Sequence, residues 1–151
     1  MKINPVVIAI TIALSGIGAA HALELGSGEE TDADINGEII LRCQYQLGEF
    51  GIAAVNTCIE SEHNARKALS SYPEETADIV WRCIGSRYDV GWEMIKICAD
   101  NNIAADVALR AYAPEHADII KACRDKIGQY RHAEVKKCVD DLLAEQRSVP
   151  K

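Results

Sequence analysis

The sequence lacks any C-x-x-C pair, although it contains six cysteines in 151 residues. That absence argues against a thioredoxin-like redox motif, the common zinc-ribbon spacing and covalent haem attachment, which all need closely spaced cysteines. A G-x-S-x-G element and a dense run of Lys and Arg are also missing. Because the formal net charge is −7, nucleic-acid phosphates and anionic membrane surfaces should repel the chain. We therefore expect no nucleic-acid partner.

Long apolar runs are missing as well, except for one near the start. Residues Val6 to Ala20 form an apolar run of fifteen residues that follows Lys2 and ends in a small-x-small pattern at Ala22. A membrane-spanning helix needs about 20 apolar residues, so an uncleaved anchor is the less favoured interpretation. The layout is typical of a secretory signal peptide over residues 1–22, cleaved after Ala22. We expect an acidic, exported protein, periplasmic or extracellular, without stable membrane insertion.

The cysteines follow a fixed period of forty residues, because their spacings alternate between 15 and 25. They are Cys43, Cys58, Cys83, Cys98, Cys123 and Cys138. Export would place them where disulfides form and persist. Thiolate metal sites usually take two ligands that are close in sequence, which this spacing does not provide. The sequence therefore predicts structural disulfides, with no metal site and no cofactor.

Residues beyond the cysteines share the period, which indicates stacked supersecondary units. The segment TADIVWRC (76 to 83) matches HADIIKAC (116 to 123), and apolar residues recur at helical steps. Glycines fall where inner turns are needed, and Pro73 and Pro114 fall between units. We predict an all-α fold of three tandem αα-hairpin repeats of 40 residues, each clasped by one disulfide. The expected segments are an acidic flexible lead-in (23–36), the repeats (37–76, 77–116, 117–146) and a tail (147–151).

The pairing of the cysteines is constrained by the predicted turns. In an antiparallel hairpin, residues equidistant from the turn lie side by side, and the midpoint of Cys83 and Cys98 falls at Val90-Gly91. This favours pairing within each unit, and each bond would contribute roughly 3 kcal/mol by closing a short loop. The rival scheme pairs Cys58 with Cys83 across a linker, and it leaves the first and last cysteines without a neighbour.

Two local questions stay open at this stage. The second helix of a repeat is either continuous or broken near Asn101-Asn102. The stretch DADINGEII, from Asp32 to Ile40, resembles the first half of an EF-hand loop, but the position that needs a bidentate Glu is Cys43. We expect an acidic lead-in in which Asp34 or Asn36 caps the first helix, and calcium binding is left undecided.

Aromatic residues distinguish the middle repeat. Trp81 aligns with Leu41 and Lys121, and Trp92 aligns with Ile52 and His132. Packing between units would explain these residues. The alternative is a partner-binding patch, because Trp and Tyr are favoured interface anchors. The candidate partner-binding residues are Trp81, Trp92 and Tyr88.

No residue pattern in the sequence indicates a catalytic site, and we predict none. The sequence favours an exported, non-catalytic helical repeat protein that acts as a binding or scaffolding module, with another protein as its partner. The alternative is a small periplasmic or secreted metal-handling or redox protein that uses the cysteines.

Overall fold

The computed structural model describes residues 31–148, and within this range the chain is helical with no β-strand. Short 3-10 turns stand at Gly48–Phe50, Glu74–Thr76 and Tyr88–Val90. The helical segments are α1 (Asp32–Leu47), α2 (Ile52–Ser70), α3 (Ala77–Arg87), α4 (Trp92–Ile127) and α5 (His132–Ser148). Within residues 31–148 every helix is too short or too polar to cross a lipid bilayer.

The long segment α4 is two helices joined at a kink. Pro114 lies inside it, and His116 has a non-helical backbone (φ −129°, ψ 28°). Proline lacks the N–H for the helical hydrogen bond and clashes with the preceding turn, so it bends a helix. The arm over residues 92–115 pairs with α3, and the arm over residues 117–127 pairs with α5. The described chain thus holds six helices in three hairpins, which confirms the predicted fold class.

Each hairpin is clasped by one disulfide, as predicted. The bonds join Cys43 to Cys58, Cys83 to Cys98 and Cys123 to Cys138, with Cα–Cα distances of 5.8, 5.7 and 6.0 Å. Antiparallel helices in contact bring facing Cα atoms to this separation, which a disulfide can bridge. The rival pairing across the linkers does not occur, and no cysteine in the described range is free.

The start of the first helix corrects a predicted boundary. Helix α1 begins at Asp32, inside the segment 23–36 that was expected to be flexible. Thr31 is its N-cap, and Asp34 completes a capping box by accepting hydrogen bonds from the Thr31 N–H (3.1 Å) and hydroxyl (2.7 Å). The predicted cap was Asp34 or Asn36, and the cap is instead the preceding threonine. The predicted signal peptide, residues 1–22, lies outside the described residues.

The structure also answers the question of continuity in the second helices. Helix α2 runs without a break, and α4 continues through Asn101-Asn102. The Asn102 side chain donates to the Cys98 carbonyl oxygen (2.9 Å) one turn earlier in the helix. At the other end of the chain, α5 runs to Ser148, past the repeat boundary predicted at residue 146.

Apolar side chains form two clusters along the array. One spans the first two repeats, and the second joins Leu109, near the end of the second repeat, to the third repeat. The first cluster contains Ile35, Ile39, Cys43, Val55, Ala65, Leu69, Val80, Cys83, Trp92, Ile95 and Ala99. Neighbouring repeats meet through their second helices: α2 packs on α4, and the 92–115 arm of α4 contacts α5 through Asn102 and Tyr112. We call the contact between repeats one and two the first junction, and that between repeats two and three the second junction.

Candidate binding cleft at the second junction

The first junction is filled by aromatic side chains. Trp92, the first residue of α4, is only 3% exposed. The Tyr88 ring meets it edge to face at a centroid distance of 6.0 Å, and the Arg66 guanidinium lies 5.7 Å from the Trp92 ring centroid. The Tyr88 hydroxyl donates to Glu38 (2.7 Å). These contacts link the first two repeats through aromatic side chains.

A buried glutamate ties the same junction together. Glu62 on α2 is 6% exposed and accepts hydrogen bonds from the Arg42 guanidinium (3.2 Å) and from the backbone N–H groups of Trp92 (2.7 Å) and Glu93 (3.3 Å). The first N–H groups of a helix have no partner within the helix, and its N-terminus favours negative charge. One carboxylate from the first repeat therefore caps the second helix of the next repeat and neutralises an arginine.

The glutamate requires a glycine opposite it. Gly91 has φ +111°, and a Cβ placed there would lie 2.7 Å from both carboxylate oxygens of Glu62. No larger residue fits this position without displacing the cap.

The second junction has a capping residue at the equivalent position, but this residue accepts fewer hydrogen bonds. Asn102 stands forty residues after Glu62, and its side-chain oxygen accepts one hydrogen bond, from the Ala133 N–H (3.2 Å). Arg82 stands forty residues after Arg42, but it has no carboxylate partner among the described residues. Its guanidinium instead stacks on the Tyr130 ring, 3.4 Å from the centroid.

The aromatic filling of the first junction is also replaced. His132 stands in place of Trp92, and Asp106 stands in place of Arg66. The His132 Nδ1 atom lies 3.2 Å from Asp106 Oδ1, although the two atoms are not aligned for a hydrogen bond. The same Asp106 also pairs with Arg110 (2.6 Å).

These replacements open a cleft of about 470 Å³ between the second and third repeats. Where Tyr88 packs at the first junction, the second has Gly128, which carries no side chain. The buried Ile35 of the first repeat likewise corresponds to Glu75, which lines the cleft and is exposed. The volume falls in the range of ordinary small-molecule sites, about 300–1,000 Å³.

Unpaired arginine side chains are a distinctive feature of the walls of the cleft. Arg82, Arg110 and Arg124 all line it, and only Arg110 forms an ion pair within the described range. The Nε atom of Arg124 is buried and has no hydrogen-bond partner there. Buried polar groups are usually satisfied, so this donor marks an unfilled polar position.

The histidine in the cleft is held in its neutral form. Burial lowers the pKa of His132 below 6.5, and the neighbouring Asp106 opposes this shift without cancelling it. The positive charges of Arg124, Arg110 and Arg82 lower the pKa further. Near neutral pH the imidazole therefore offers one donor and one acceptor rather than a second cation.

Both junctions share one polar connection, made by residues that do not line the cleft. Tyr72 donates to Asp100, which also pairs with Lys96, and forty residues later Tyr112 donates to Asp140 (3.1 Å), which pairs with Lys136. Lys136 is the main cause of the lowered pKa of Asp140. The two junctions are thus built on one plan, and they differ at the cleft.

The predicted partner-binding residues lie in two different places. Trp92 is buried and Tyr88 is half-buried, and both pack within the first junction, so that they offer little surface in this conformation. Trp81 on α3 is 39% exposed and makes no ring contact with either of them. It follows Asp78, which lines the cleft, by three residues and so occupies the adjoining strip of the helix. The partner-binding role of the three residues stays a prediction.

Sequence reasoning missed the residues that form the cleft, above all Arg82, Arg124 and His132. A signal for them existed in the aligned repeats. The arginine of the first repeat recurs in the second, whereas its glutamate becomes Asn102. An alignment of the repeats that follows both members of the Arg42–Glu62 ion pair predicts that Arg82 lacks a carboxylate partner at the equivalent position.

Comparisons with protein-family models, with curated proteins and with solved structures found no match for this chain. Within residues 31–148, no group of three or more His, Cys, Asp or Glu side chains is arranged to hold a metal ion. The cleft combines free guanidinium donors, a neutral imidazole and apolar walls, and such an arrangement can bind and orient a ligand.

Proposed function

We propose that this chain is an exported, non-catalytic helical repeat protein that acts as a binding module, with the cleft at the second junction as its recognition site. One observation carries the proposal. Positions that are filled at the first junction are open at the second, and the arginine that is paired with a carboxylate at the first junction has no carboxylate partner within residues 31–148 at the second. Large side chains would close the cleft, as they do at the first junction, if it served only packing.

The disulfides support a binding role that depends on a fixed shape. Each clasp locks the two helices of one hairpin, so the walls of the cleft come from two covalently braced units. Stacked helical repeats commonly present such surfaces to partners. Export is supported by the predicted signal peptide and by disulfides, which persist in oxidising compartments.

Partner capture with matched variants tests this function. The tagged, exported protein would be incubated with extract of its own compartment, and captured proteins would be compared between wild type, Arg82→Gln/Arg124→Gln and Trp81→Ala. We expect the arginine double variant to lose a partner that wild type captures. Loss of the partner with Trp81→Ala alone would indicate that the recognition site is the exposed surface of α3. Equal capture by all three proteins would contradict the proposal that the cleft is the recognition site.

A thiol assay separates the proposal from the metal-handling or redox alternative. All six cysteines are paired in the structure, so the exported protein should show no free thiol without reductant. Free thiols together with bound metal would support the alternative, because a thiolate is the form that binds metal.

A further inference from the structure

We propose that the cleft at the second junction binds an organic carboxylate, which Arg82 and Arg124 hold by charge-assisted hydrogen bonds. This inference rests on the proposed function, because it names the ligand chemistry of the same cleft. The ligand would be a singly charged acid with an apolar body, either a free small molecule or part of a peptide.

The first junction supplies an internal template for this site. There, the arginine at the same repeat position, Arg42, donates to the buried carboxylate of Glu62, 3.2 Å away. At the second junction the arginine is kept as Arg82, but the carboxylate is replaced by the amide of Asn102. The chain thus retains the cation and lacks the anion that accompanies it one repeat earlier. A carboxylate from outside would restore the pair.

Arg124 is an independent second indication. It stands forty residues after Ile84, an apolar residue that packs against the core of the first two repeats. The third repeat therefore introduces a cation on a wall where the preceding repeat is apolar. Its Nε donor is buried and has no hydrogen-bond partner within residues 31–148. Guanidinium groups bind carboxylates through paired N–H donors, which suits a ligand bound beside this wall.

The acidic side chains of the cleft limit the charge of the ligand. Asp106 is committed to Arg110 and lies against His132. Glu75 and Asp78 are exposed and line the same cleft. Three arginines therefore face three acids, so the cleft has no net formal charge, and its unpaired cations are Arg82 and Arg124. This balance favours a monoanion such as a carboxylate over a phosphate dianion, which the acids would repel.

The size and apolar walls of the cleft favour an organic ligand. Ile79, Ile103 and Val107 line it together with Tyr130, whose ring carries Arg82 on one face. A volume of about 470 Å³ far exceeds the space that one bare inorganic anion needs. The apolar walls would accept an aliphatic or aromatic group while the carboxylate meets the arginines.

Calorimetric titration of the full oxidised protein tests the carboxylate. The probes are N-acetyl-leucine and N-acetyl-phenylalanine, each compared with its own amide, and a peptide with both ends blocked and one internal glutamate. We expect the free acids to bind at least about tenfold more tightly than the amides, because an amide loses one charge-assisted interaction. Binding of the two amino acids indicates a free acid or chain end, whereas binding of the blocked peptide alone indicates an acidic side chain. Equal affinity for acid and amide, or no binding by any probe, would overturn the proposal that the cleft binds a carboxylate.

Variants of the walls provide the second arm. Arg82→Gln and Arg124→Gln should each weaken binding of the acid by about tenfold, and Arg82→Lys, which keeps the charge, should restore part of the affinity. Lys126→Gln removes an exposed positive charge near the end of α4, outside the cleft, and should leave the affinity unchanged. Thermal unfolding of each variant shows that it is folded. If Lys126→Gln weakens binding as much as Arg82→Gln, the interaction is a nonspecific charge effect and the site is wrong.

The outcomes also separate this inference from the proposed function. If no carboxylate binds but the arginine double variant still loses its captured partner, the carboxylate is wrong and the binding module stands. If carboxylates bind and no partner is captured, the ligand is a small molecule, and the prediction of a protein partner is wrong.

Discussion

The two junctions of this array use equivalent repeat positions and differ in the side chains at those positions. At the first junction, Trp92 and a buried glutamate close the space between repeats. At the second, His132 and Asn102 occupy the same positions and leave a cleft with unpaired arginines. The comparison shows that a repeat can use one set of positions either for adhesion between units or for recognition. A substitution at one junction can therefore be compared with the equivalent substitution at the other junction of the same molecule.

The largest expected difference between the junctions concerns the residue at the start of the second helix. Trp92→Ala should destabilise the protein by about 3–5 kcal/mol, because it removes a fully buried aromatic side chain. His132→Ala should cost about 1 kcal/mol or less, because the imidazole is smaller than the indole and borders a cleft on one side, so that less packing is lost. Denaturant unfolding followed by circular dichroism measures both. Equal losses would show that the cleft is packed in solution, which contradicts the comparison.

The buried glutamate should have the second-largest effect. Glu62→Gln leaves Arg42 without its carboxylate and removes charge from the cap of α4, so we expect a loss of about 3 kcal/mol. Asn102→Ala removes one neutral cap and should cost about 1 kcal/mol. The same unfolding experiment compares them. A smaller effect for the glutamate than for the asparagine would mean that the first junction does not depend on this charge.

Two glycines sharpen the comparison further. Gly51 and Gly91 both precede a second helix with positive φ, +90° and +111°, but only Gly91 faces a side chain. Gly91→Ala should therefore cost about 2–3 kcal/mol, and Gly51→Ala about 1 kcal/mol from backbone strain alone. If both substitutions cost the same, the contact between position 91 and Glu62 contributes nothing.

The smallest effect should come from pH. Burial keeps the pKa of His132 below its ordinary value of 6.5, so the unfolded chain takes up a proton more readily than the folded one. The stability from the neutral imidazole is therefore present above pH 6.5 and is lost as the pH falls toward the lowered folded-state pKa. Melting temperatures across this window should decline less steeply in His132→Gln than in wild type. Parallel curves would place the acid sensitivity at other groups.

The repeat, its helices and its disulfides were predictable because the period of the cysteines and the apolar stripe encode them locally. The start of α1 was missed because the capping box of Thr31 and Asp34 carries the helix five residues upstream of the predicted repeat at 37. Pro114 was expected to separate two helices, and it does so at a kink within α4 rather than at a linker like the one around Pro73. Pro114 stands one position later in the period than Pro73.

The cleft itself was harder to predict, because it arises from side chains that are missing at matched positions. A sequence pattern shows which residues recur, whereas a cavity depends on which neighbours in space fail to fill it. The replacements of Tyr88 by Gly128 and of Trp92 by His132 are visible in the alignment of the repeats. That both changes face the same space becomes evident only when the helices are stacked.

The local disulfides have a consequence for the order of biosynthesis. Every bond joins two cysteines that are consecutive in the sequence. If the chain enters an oxidising compartment with its N-terminus first, Cys43 meets Cys58 before any later thiol has emerged, and each subsequent pair completes in turn. An oxidant that joins thiols as they arrive would then make only native bonds, so maturation would require no reshuffling by a disulfide isomerase.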